Sequence, residues 1–244
     1  MIEVNRIHKA FGKVVAVDEV SFVAENGAIT ALLGANGAGK TTTLRIVTAV
    51  FAPDRGTVRV DGADTAKDPS LARSRIGLLS DNRGLYARLT SRENIRYFGR
   101  LHGLEGPPLE ARIDALVKLF DMRDIADRRV DGFSLGQRLK VAIARALVHD
   151  PPNVLLDEPT AGLDVMTTRA MRDVVLRLRG EGKCVVLSSH VMQEVARLAD
   201  RIVVVAKGRV RVIATPDELR RSTGCENLED AFVAALGTAE GVMA

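Results

Sequence analysis

Residues 28–47 read AITALLGANGAGKTTTLRIV, an apolar run followed by a glycine-rich segment and then by a segment that favours a helix. The run at 28–33 predicts a buried β-strand, and residues 41–50 predict a helix. The segment between them fits the pattern G-x-x-x-x-G-K-[ST], which is typical of a phosphate-binding loop. A simple glycine-rich turn is the alternative, but such a turn would not require lysine and threonine at its last two positions. The stretch therefore favours a nucleotide-binding loop at the end of a strand.

Each residue type in this loop suits an anionic ligand. Glycines let successive backbone N–H groups wrap around a phosphate, and the helix that starts near Lys40 adds the positive end of its dipole. Lys40 would neutralise β- and γ-phosphate oxygens, and the Thr41 hydroxyl could ligate Mg²⁺. The predicted binding residues of the loop are Gly34, Asn36, Gly37, Gly39, Lys40, Thr41 and Thr42.

Two further strands end in residues that suit the same chemistry. Residues 153–156 predict a buried strand, and Asp157 at its end would face the water shell of Mg²⁺, while Glu158 would act on the attacking water. Two acidic residues that merely end a strand are the alternative. His190 follows the apolar run at 184–187, at the sheet edge where such folds bind ligands. This placement favours γ-phosphate sensing over a structural histidine.

The composition is that of an ordinary globular protein, since 46% of the 244 residues are hydrophobic and 27% are charged. No uncharged apolar run approaches the ~18 to 20 residues that a membrane span needs. The first residues lack the apolar centre of a secretion signal, so a cytoplasmic protein is expected. The formal charge of +4 is dispersed and aromatic residues make up 4%, so direct nucleic-acid binding is not expected.

The pattern along the chain predicts an α/β fold with a helical insertion. Strand-like runs dominate the first 80 residues, in which residues 41–50 form the only predicted helix. Helical spacing takes over between residues 81 and 130. Short apolar strands then alternate with helices, as in a parallel sheet buried on both faces. The predicted strands lie at residues 2–7, 14–23, 28–33, 57–61, 76–79, 153–156, 184–187 and 201–205.

A fourth motif, the segment SLGQ at residues 134–137, adds to the loop, the DE pair and His190 and makes the combination specific. It precedes a predicted helix at 138–148, so a serine and a glycine lie at a helix N-terminus. Taken alone, the segment would be interpreted as a simple helix cap. It stands, however, among other features in a fixed order: the phosphate-binding loop, the helical insertion, SLGQ, the DE pair at 157–158, AGLD at 161–164 and His190. This combination resembles the nucleotide-binding subunit of ABC transporters over residues 2–215.

The resemblance implies a P-loop NTPase core, RecA-like with a mostly parallel sheet and an antiparallel β edge. This discontinuous core would comprise residues 1–80 and 134–216, with a helical subdomain at 81–133 and a short helical tail at 217–244. Its cofactors would be ATP and Mg²⁺. The implied metal-binding residues are Thr41, Asp81 and Asp157.

The resemblance also implies that the chain acts in pairs. The SLGQ segment would contact the γ-phosphate of ATP held in the loop of a second subunit, which gives a head-to-tail dimer. Asp164 would bridge the two sites of that dimer. Within each site, Glu158 would be the general base and His190 would hold the γ-phosphate and water in line. The implied contacts of the SLGQ segment come from Ser134, Gly136 and Gln137.

Three further positions bear on the resemblance, one by matching the family pattern and two by departing from it. Phe11 stands where these proteins place an aromatic ring that stacks on adenine, with a core phenylalanine as the alternative. Leu135 replaces the usual second glycine of the signature, so its side chain must point away from phosphate. Asp81 replaces the usual glutamine, which touches Mg²⁺ or the attacking water and adjoins the groove that docks the membrane subunit; a turn-forming aspartate is the alternative.

Asp81 and the residues that follow it resemble the sodium-efflux and related ABC-2-type export subgroup. The resulting hypothesis is an ATPase that powers export of Na⁺ or another small solute or drug through a separate integral membrane permease. It would be peripheral on the inner face of the cell membrane. A non-transport ABC ATPase acting on nucleic acid or the ribosome is the alternative. The 93 residues between Lys40 and Ser134 include no long heptad arm, which argues against the type that acts on DNA, and a single P-loop argues against the tandem type that acts in translation.

Overall fold

A computed structural model describes residues 1–80 and 84–237 of the chain. The strands of these residues are β1 (Ile2–Phe11), β2 (Val14–Ala24), β3 (Ile29–Leu33), β4 (Arg55–Val60), β5 (Ala63–Asp64), β6 (Ile76–Leu79), β7 (Asn153–Asp157), β8 (Cys184–Ser189), β9 (Arg201–Ala206) and β10 (Arg209–Ala214). The helices are α1 (Lys40–Val47), α2 (Pro69–Ser74), α3 (Ser91–Leu101), α4 (Gly106–Leu119), α5 (Leu135–Ala146), α6 (Val165–Gly180), α7 (Met192–Leu198), α8 (Pro216–Thr223) and α9 (Leu228–Gly237).

The centre of the fold is a six-stranded sheet in the order β10-β9-β3-β8-β7-β6. All neighbours pair in parallel except β10, which pairs antiparallel with β9 at one edge. Every residue of β3, β7 and β8 is buried, as expected for apolar strands covered on both faces. The register brings the carboxyl ends of neighbouring strands together, because Leu33 pairs with both Ser189 and Val204.

A second, four-stranded antiparallel sheet has the order β2-β1-β4-β5. Successive residues of the central strands face opposite clusters. Leu32 belongs to the apolar core shared with this second sheet, α1 and α2, whereas Ala31 and Leu33 face the core shared with helices α3 to α9. The predicted antiparallel part is therefore present mainly as a separate sheet. The sequence pattern did not predict β10, which adds an antiparallel edge to the central sheet.

The helical segment that follows β6 packs onto α5. At the start of α3, Glu93 N–H donates to Thr90 Oγ1 at 3.1 Å, and Thr90 N–H donates to Glu93 Oε2 at 2.7 Å. These two bonds form a capping box that fixes where the helix begins. Ile95 of α3 and Ile113 of α4 belong to the same apolar core as the sheet, so the insertion and the sheet stabilise each other.

Several helix bounds differ from the sequence prediction. α2 shows that residues 41–50 are not the only helical segment of the first 80 residues, so that prediction was wrong. Its signal is the pair Asp68-Pro69, in which the aspartate accepts the Leu71 N–H at 3.1 Å and proline occupies the first helical position. α5 begins at Leu135 rather than at residue 138, because Ser134 is its cap.

The C-terminal tail consists of α8 and α9 over its described part. Leu219, Leu228 and Phe232 are buried in the core that also contains Val195 of α7. The tail therefore covers the helix that follows His190. Within residues 1–80 and 84–237, no helix combines the length and the apolar character that crossing a membrane requires.

Two histidines stack where the end of α3 meets the end of α5. The rings of His102 and His149 are parallel within 2°, with 3.6 Å between their centroids. The Nε2 of His149 donates to Ile76 O at 3.1 Å. Burial, with a smaller contribution from His102, lowers the pKa of His149 to about 4. His149 is therefore neutral in the folded chain at pH 7.

The free energy of unfolding is expected to fall as the pH decreases from about 6.5 to about 4, because the unfolded chain then binds a proton at His149 that the folded chain does not. His149→Gln keeps a donor for Ile76 O and should reduce this loss by about 2 kcal/mol, allowing for screening by water at the partly exposed ring. Urea unfolding across this pH range measures the effect. Parallel profiles for wild type and His149→Gln would contradict the prediction.

Candidate functional site

The glycine-rich loop lies between the carboxyl end of β3 and Lys40, the first residue of α1. Gly37 and Gly39 have φ angles of +79° and +104°, a region that glycine adopts readily and other residues rarely do. A Cβ atom at Gly39 would lie 2.5 Å from Ala16 O, and one at Gly34 would lie 2.3 Å from a backbone oxygen of β9. Backbone shape and close packing therefore require the glycines of the motif.

Lys40 Nζ is held inside this loop. It donates to Gly34 O at 2.7 Å and to Ala35 O at 3.2 Å, and it lies 3.4 Å from Glu158 Oε1. Only 6% of the lysine side chain is exposed. A buried ammonium group bound to carbonyl oxygens can exchange them for phosphate oxygens, which carry more negative charge and bind it more strongly.

Ser188 connects the ends of β7 and β8. The two strands pair so that Asp157 lies opposite Ser188. The Ser188 hydroxyl donates to Asp157 Oδ1 and accepts the Glu158 N–H at 3.0 Å. Thr41 Oγ1 lies 3.4 Å from the same carboxylate oxygen. The loop and the end of β7 thus bring a hydroxyl and a carboxylate together, although the sequence analysis did not identify Ser188.

Glu158 lies between Lys40 and His190. Its backbone φ of +48° is uncommon for a residue with a side chain, and it follows directly on β7. Its Oε2 accepts a hydrogen bond from His190 Nδ1 at 2.8 Å, while its Oε1 faces Lys40 Nζ. His190 directly follows β8 and is 47% exposed. The structure therefore brings together all three of these predicted residues at one edge of the sheet.

A cleft of about 340 Å³ opens over this edge, lined by Glu158 and by residues 14–16 and 36–42. Phe11 lies before β2, is 45% exposed and packs edge-on against Phe51 with 5.4 Å between ring centroids. This exposure contradicts the alternative of a core phenylalanine. Stacking of Phe11 on adenine stays a prediction.

Ser134 and Gln137 form a capping box at the start of α5. Gln137 N–H donates to Ser134 Oγ at 3.2 Å, and Ser134 N–H donates to Gln137 Oε1 at 3.0 Å. The interpretation as a helix cap is thus correct as far as local structure goes. Because a hydroxyl is both donor and acceptor, the Ser134 O–H can still donate to another group.

The SLGQ and AGLD segments contact each other. A Cβ atom at Gly162 would lie 3.3 Å from the side chain of Leu135, and one at Gly136 would lie 3.2 Å from Thr167 Oγ1. Asp164 caps α6 by accepting the Thr167 N–H at 2.9 Å and the Thr167 O–H at 2.8 Å. Hydrogen bonding to the Thr167 backbone and hydroxyl lowers the pKa of Asp164. We call residues 134–137 and 161–164 the signature patch.

The signature patch is separate from the cleft. The described residues that line the cleft include none of four predicted nucleotide contacts: Ser134, Gly136, Gln137 and Asp164. Each subunit thus presents two surfaces: a cleft with Lys40 and Glu158, and an exposed helix start at Ser134.

The comparisons with known proteins identify the family. A family model described as ABC transporter matches residues 17–161. The chain belongs to the ABC transporter family. It is 45% identical over 222 residues to the ABC transporter ATP-binding protein NatA of Bacillus subtilis (strain 168), covering 91% of this chain and 90% of that protein. It is 37% identical to the daunorubicin resistance ATP-binding protein DrrA3 of Streptomyces coeruleorubidus, covering 93% of this chain and 72% of that protein.

Solved structures agree with this family. The ATP-binding subunit of an ABC transporter aligns with a TM-score of 0.89 and 28% identity, over 97% of this chain and 99% of that chain. A dimeric ATP-binding cassette in a post-hydrolysis state, bound to ADP and Pi, aligns with a TM-score of 0.81 and 26% identity, over 88% and 98% of the two chains. The predicted P-loop fold and the predicted ATPase class are confirmed.

One residue that the resemblance to ABC transporters singled out, Asp81, lies outside the described residues. It follows β6, whose carboxyl end lies beside that of β7 through the pairing of Leu79 with Leu156. The proposed roles of Asp81 in metal binding and in coupling to a membrane subunit stay predictions.

Proposed function

We propose that this ABC subunit binds and hydrolyses Mg-ATP in a head-to-tail dimer and thereby powers export through a separate membrane permease. The observation that carries the proposal is the convergence of Lys40, Glu158 and His190 in a cleft that the signature patch does not line. One subunit therefore supplies the groups for phosphate binding and water activation. A second subunit is needed to bring a signature patch to the same nucleotide.

The residues of the cleft suit triphosphate binding. Lys40 would exchange its bonds to the Gly34 and Ala35 carbonyls for β- and γ-phosphate oxygens. The Thr41 hydroxyl and the Asp157 carboxylate, 3.4 Å apart, offer the oxygen ligands that Mg²⁺ prefers. Bound there, Mg²⁺ would neutralise charge on the phosphates. The serine bonded to Asp157, Ser188, keeps that carboxylate oriented toward Thr41.

Glu158 and His190 suit the hydrolytic step. The Glu158 carboxylate would accept a proton from the attacking water. The Glu158 N–H bond to Ser188 and the His190 bond to Oε2 together fix the position of the carboxylate. Because His190 is half exposed and hydrogen-bonded to the base, it can contact a γ-phosphate without losing its alignment with Glu158.

The signature patch is suited to a second subunit. Leu135 is 44% exposed, and the adjacent Val165 and Met166 at the start of α6 are 78% and 73% exposed. Burial of these apolar side chains against another copy would stabilise the dimer. The helix N-terminus and the O–H of Ser134 would then reach a γ-phosphate held by the partner.

Export is supported by the descriptions of several relatives. DrrA3 carries the description of a daunorubicin resistance protein, and relatives with 35–38% identity are described as Nod factor export ATP-binding protein I. We accordingly propose an exported solute, with the chain held at the inner face of the cell membrane by its permease. The experiment that tests this is reconstitution with the permease: ATP-driven solute movement is expected, and it should stop when Glu158 is replaced by glutamine.

The specific ATPase activity of the isolated chain is expected to rise with protein concentration, because each site needs two subunits. Ser134→Asp and Ser134→Asn make a matched pair, since both residues cap helices well but only aspartate adds negative charge beside the γ-phosphate. Ser134→Asp should lose nearly all activity, whereas Ser134→Asn should retain much more. A dilution series that gives constant specific activity would contradict the dimer.

A further inference from the structure

The helix that follows His190 is short and begins without a side-chain cap. α7 comprises seven residues, too few to be stable alone, so contacts with the rest of the fold must fix its position. It begins after Val191, whose carbonyl oxygen accepts the N–H of Glu194 at 3.2 Å and that of Val195 at 3.3 Å. The Val191 N–H donates to the Ser189 hydroxyl at 2.9 Å. His190 is thus held between the last residue of β8 and the first turn of α7.

An ion pair joins this first turn to α6. Arg172 Nε lies 2.9 Å from Glu194 Oε2, and the two side chains are 21% and 12% exposed. Both atoms are shielded from water, and neither forms a hydrogen bond of normal geometry within residues 1–80 and 84–237, so the contact is ionic. Because the pair is largely buried, removal of one charge would leave the other poorly compensated.

Apolar contacts hold the other face of α7. Val195 and Leu198 are buried in the same core as Phe232 of α9. Burial of apolar surface is favourable but has no preferred direction, so these contacts keep the helix in place without fixing its rotation or its register. Of the contacts described here, the ion pair to Arg172 is the one that defines where the first turn lies.

The same α6 begins at the signature patch, because Asp164 is its cap. Thr167, in its first turn, lies beside Gly136. Arg172 is about 12 Å further along the helix than Asp164. One helix therefore contacts the surface proposed to meet a second subunit and also the turn that follows His190.

We infer that Arg172 and Glu194 are positioning residues for hydrolysis: their ion pair fixes the first turn of α7 and so keeps His190 aligned with Glu158. The inference rests on the proposed function, which gives His190 its place at the γ-phosphate. The bond to be preserved is that between His190 Nδ1 and Glu158 Oε2, at 2.8 Å. Neither member of the pair is among the described residues that line the nucleotide cleft, so both act through His190.

Variants that remove one charge test the inference. Glu194→Gln keeps the shape of the side chain, and Arg172→Met keeps most of its apolar length. Each is expected to lower kcat for ATP hydrolysis about tenfold and to change KM for Mg-ATP no more than about twofold, because an aligned group is displaced while the binding loop is untouched. The double variant should lose no more than either single variant, since both changes remove one interaction. Arg172→Lys, which keeps the charge, should retain most of the turnover.

Arg179→Met is the matched control. Arg179 lies on the same helix, and its Nη1 is 2.9 Å from Asp200 Oδ1, just beyond the other end of α7. Its kcat should stay within about twofold of wild type, because this pair is more exposed and remote from His190. An equal loss of kcat in Arg179→Met and Arg172→Met would mean that any weakened contact between these segments lowers turnover, and it would overturn the inference. Additive losses in the double variant would overturn it as well.

Histidine NMR tests the positioning without nucleotide and without turnover. The chain has four histidines, and His190→Ala identifies the ring signals of His190 by their absence. With ¹⁵N-labelled histidine, Arg172→Met and Glu194→Gln are expected to shift the ring nitrogen signals of His190, because its bond to Glu158 changes. The signals of the other three histidines should stay in place, as should all four in Arg179→Met. His190 signals that do not move in either charge variant would contradict the inference.

Failure of the inference is distinguishable from failure of the proposed function. If the wild-type chain hydrolyses no ATP, or if Glu158→Gln leaves turnover unchanged, the proposed function is wrong. If Glu158→Gln is inactive while Arg172→Met and Glu194→Gln are as active as wild type, the inference alone is wrong. The two charge variants lie on different helices, so one of them that folds is enough for this comparison.

Discussion

Glu158→Gln is expected to lower steady-state ATP turnover by roughly 10²-fold or more, with Mg-ATP affinity changed by no more than a few fold. Glutamine has the shape of glutamate, and its amide oxygen can still accept the His190 Nδ1 hydrogen bond of 2.8 Å. An amide cannot, however, take a proton from water. Phosphate release measures turnover, and fluorescent-nucleotide titration measures affinity.

The same variant should accumulate as an ATP-bound dimer, because closure occurs but hydrolysis no longer reverses it. Gel filtration with and without ATP provides this second readout. Glu181→Gln is the matched control, since Glu181 is exposed at the end of α6 and pairs only with Arg177 at 2.9 Å in the described structure. An unchanged turnover in Glu158→Gln would exclude Glu158 as the base.

The central sheet could be predicted because strands that are buried on both faces consist of consecutive apolar residues. The strands at residues 153–156 and 184–187 read as nearly continuous apolar runs, and the structure extends them by only one or two residues. β10 was missed because it is an edge strand of mixed composition, RVRVIA, whose pairing with β9 depends on the two-residue turn at Lys207 and Gly208. α2 was missed because six residues give too little periodicity to detect.

Those residues of the candidate site could be predicted that directly follow a predicted strand. The loop at 34–42, the pair Asp157 and Glu158, and His190 all lie at strand ends, so a parallel sheet must bring them together. Ser188 could not be predicted in this way, because its role depends on the register that places it opposite Asp157. Thr167 is a similar case, since its bonds to Asp164 depend on where α6 begins.

The role of the signature patch could be predicted from the sequence only in part. Its capping bonds are local and follow from the spacing of Ser134 and Gln137. Whether the Ser134 hydroxyl also donates to a nucleotide depends on a second subunit. The contacts with that subunit do not follow from how one chain packs. In a single subunit, the exposed apolar side chains of Leu135, Val165 and Met166 are the feature that indicates a contact with a second subunit.

Lys40→Ala is expected to weaken Mg-ATP binding by roughly 10²-fold or more, about 3 kcal/mol, because a charge-assisted bond to the phosphates is lost within a buried loop. Lys40 is 6% exposed and contacts two loop carbonyls as well as Glu158, so its removal also leaves Glu158 facing the phosphates without a cation. Like-charge repulsion should add to the loss. Isothermal titration with Mg-ATP measures the affinity.

Lys40→Met and Lys67→Ala separate charge from other effects. Methionine nearly fills the volume of lysine but carries no charge. If the lost charge causes the weaker Mg-ATP binding, Lys40→Met should bind as poorly as Lys40→Ala. If the alanine variant fails because the loop collapses, Lys40→Met should bind better. Lys67 is exposed and lies outside the cleft, so Lys67→Ala should bind as wild type does. Equal affinity of the wild type and both Lys40 variants would contradict phosphate binding by this loop, because no uncharged side chain can replace an ammonium group facing a triphosphate.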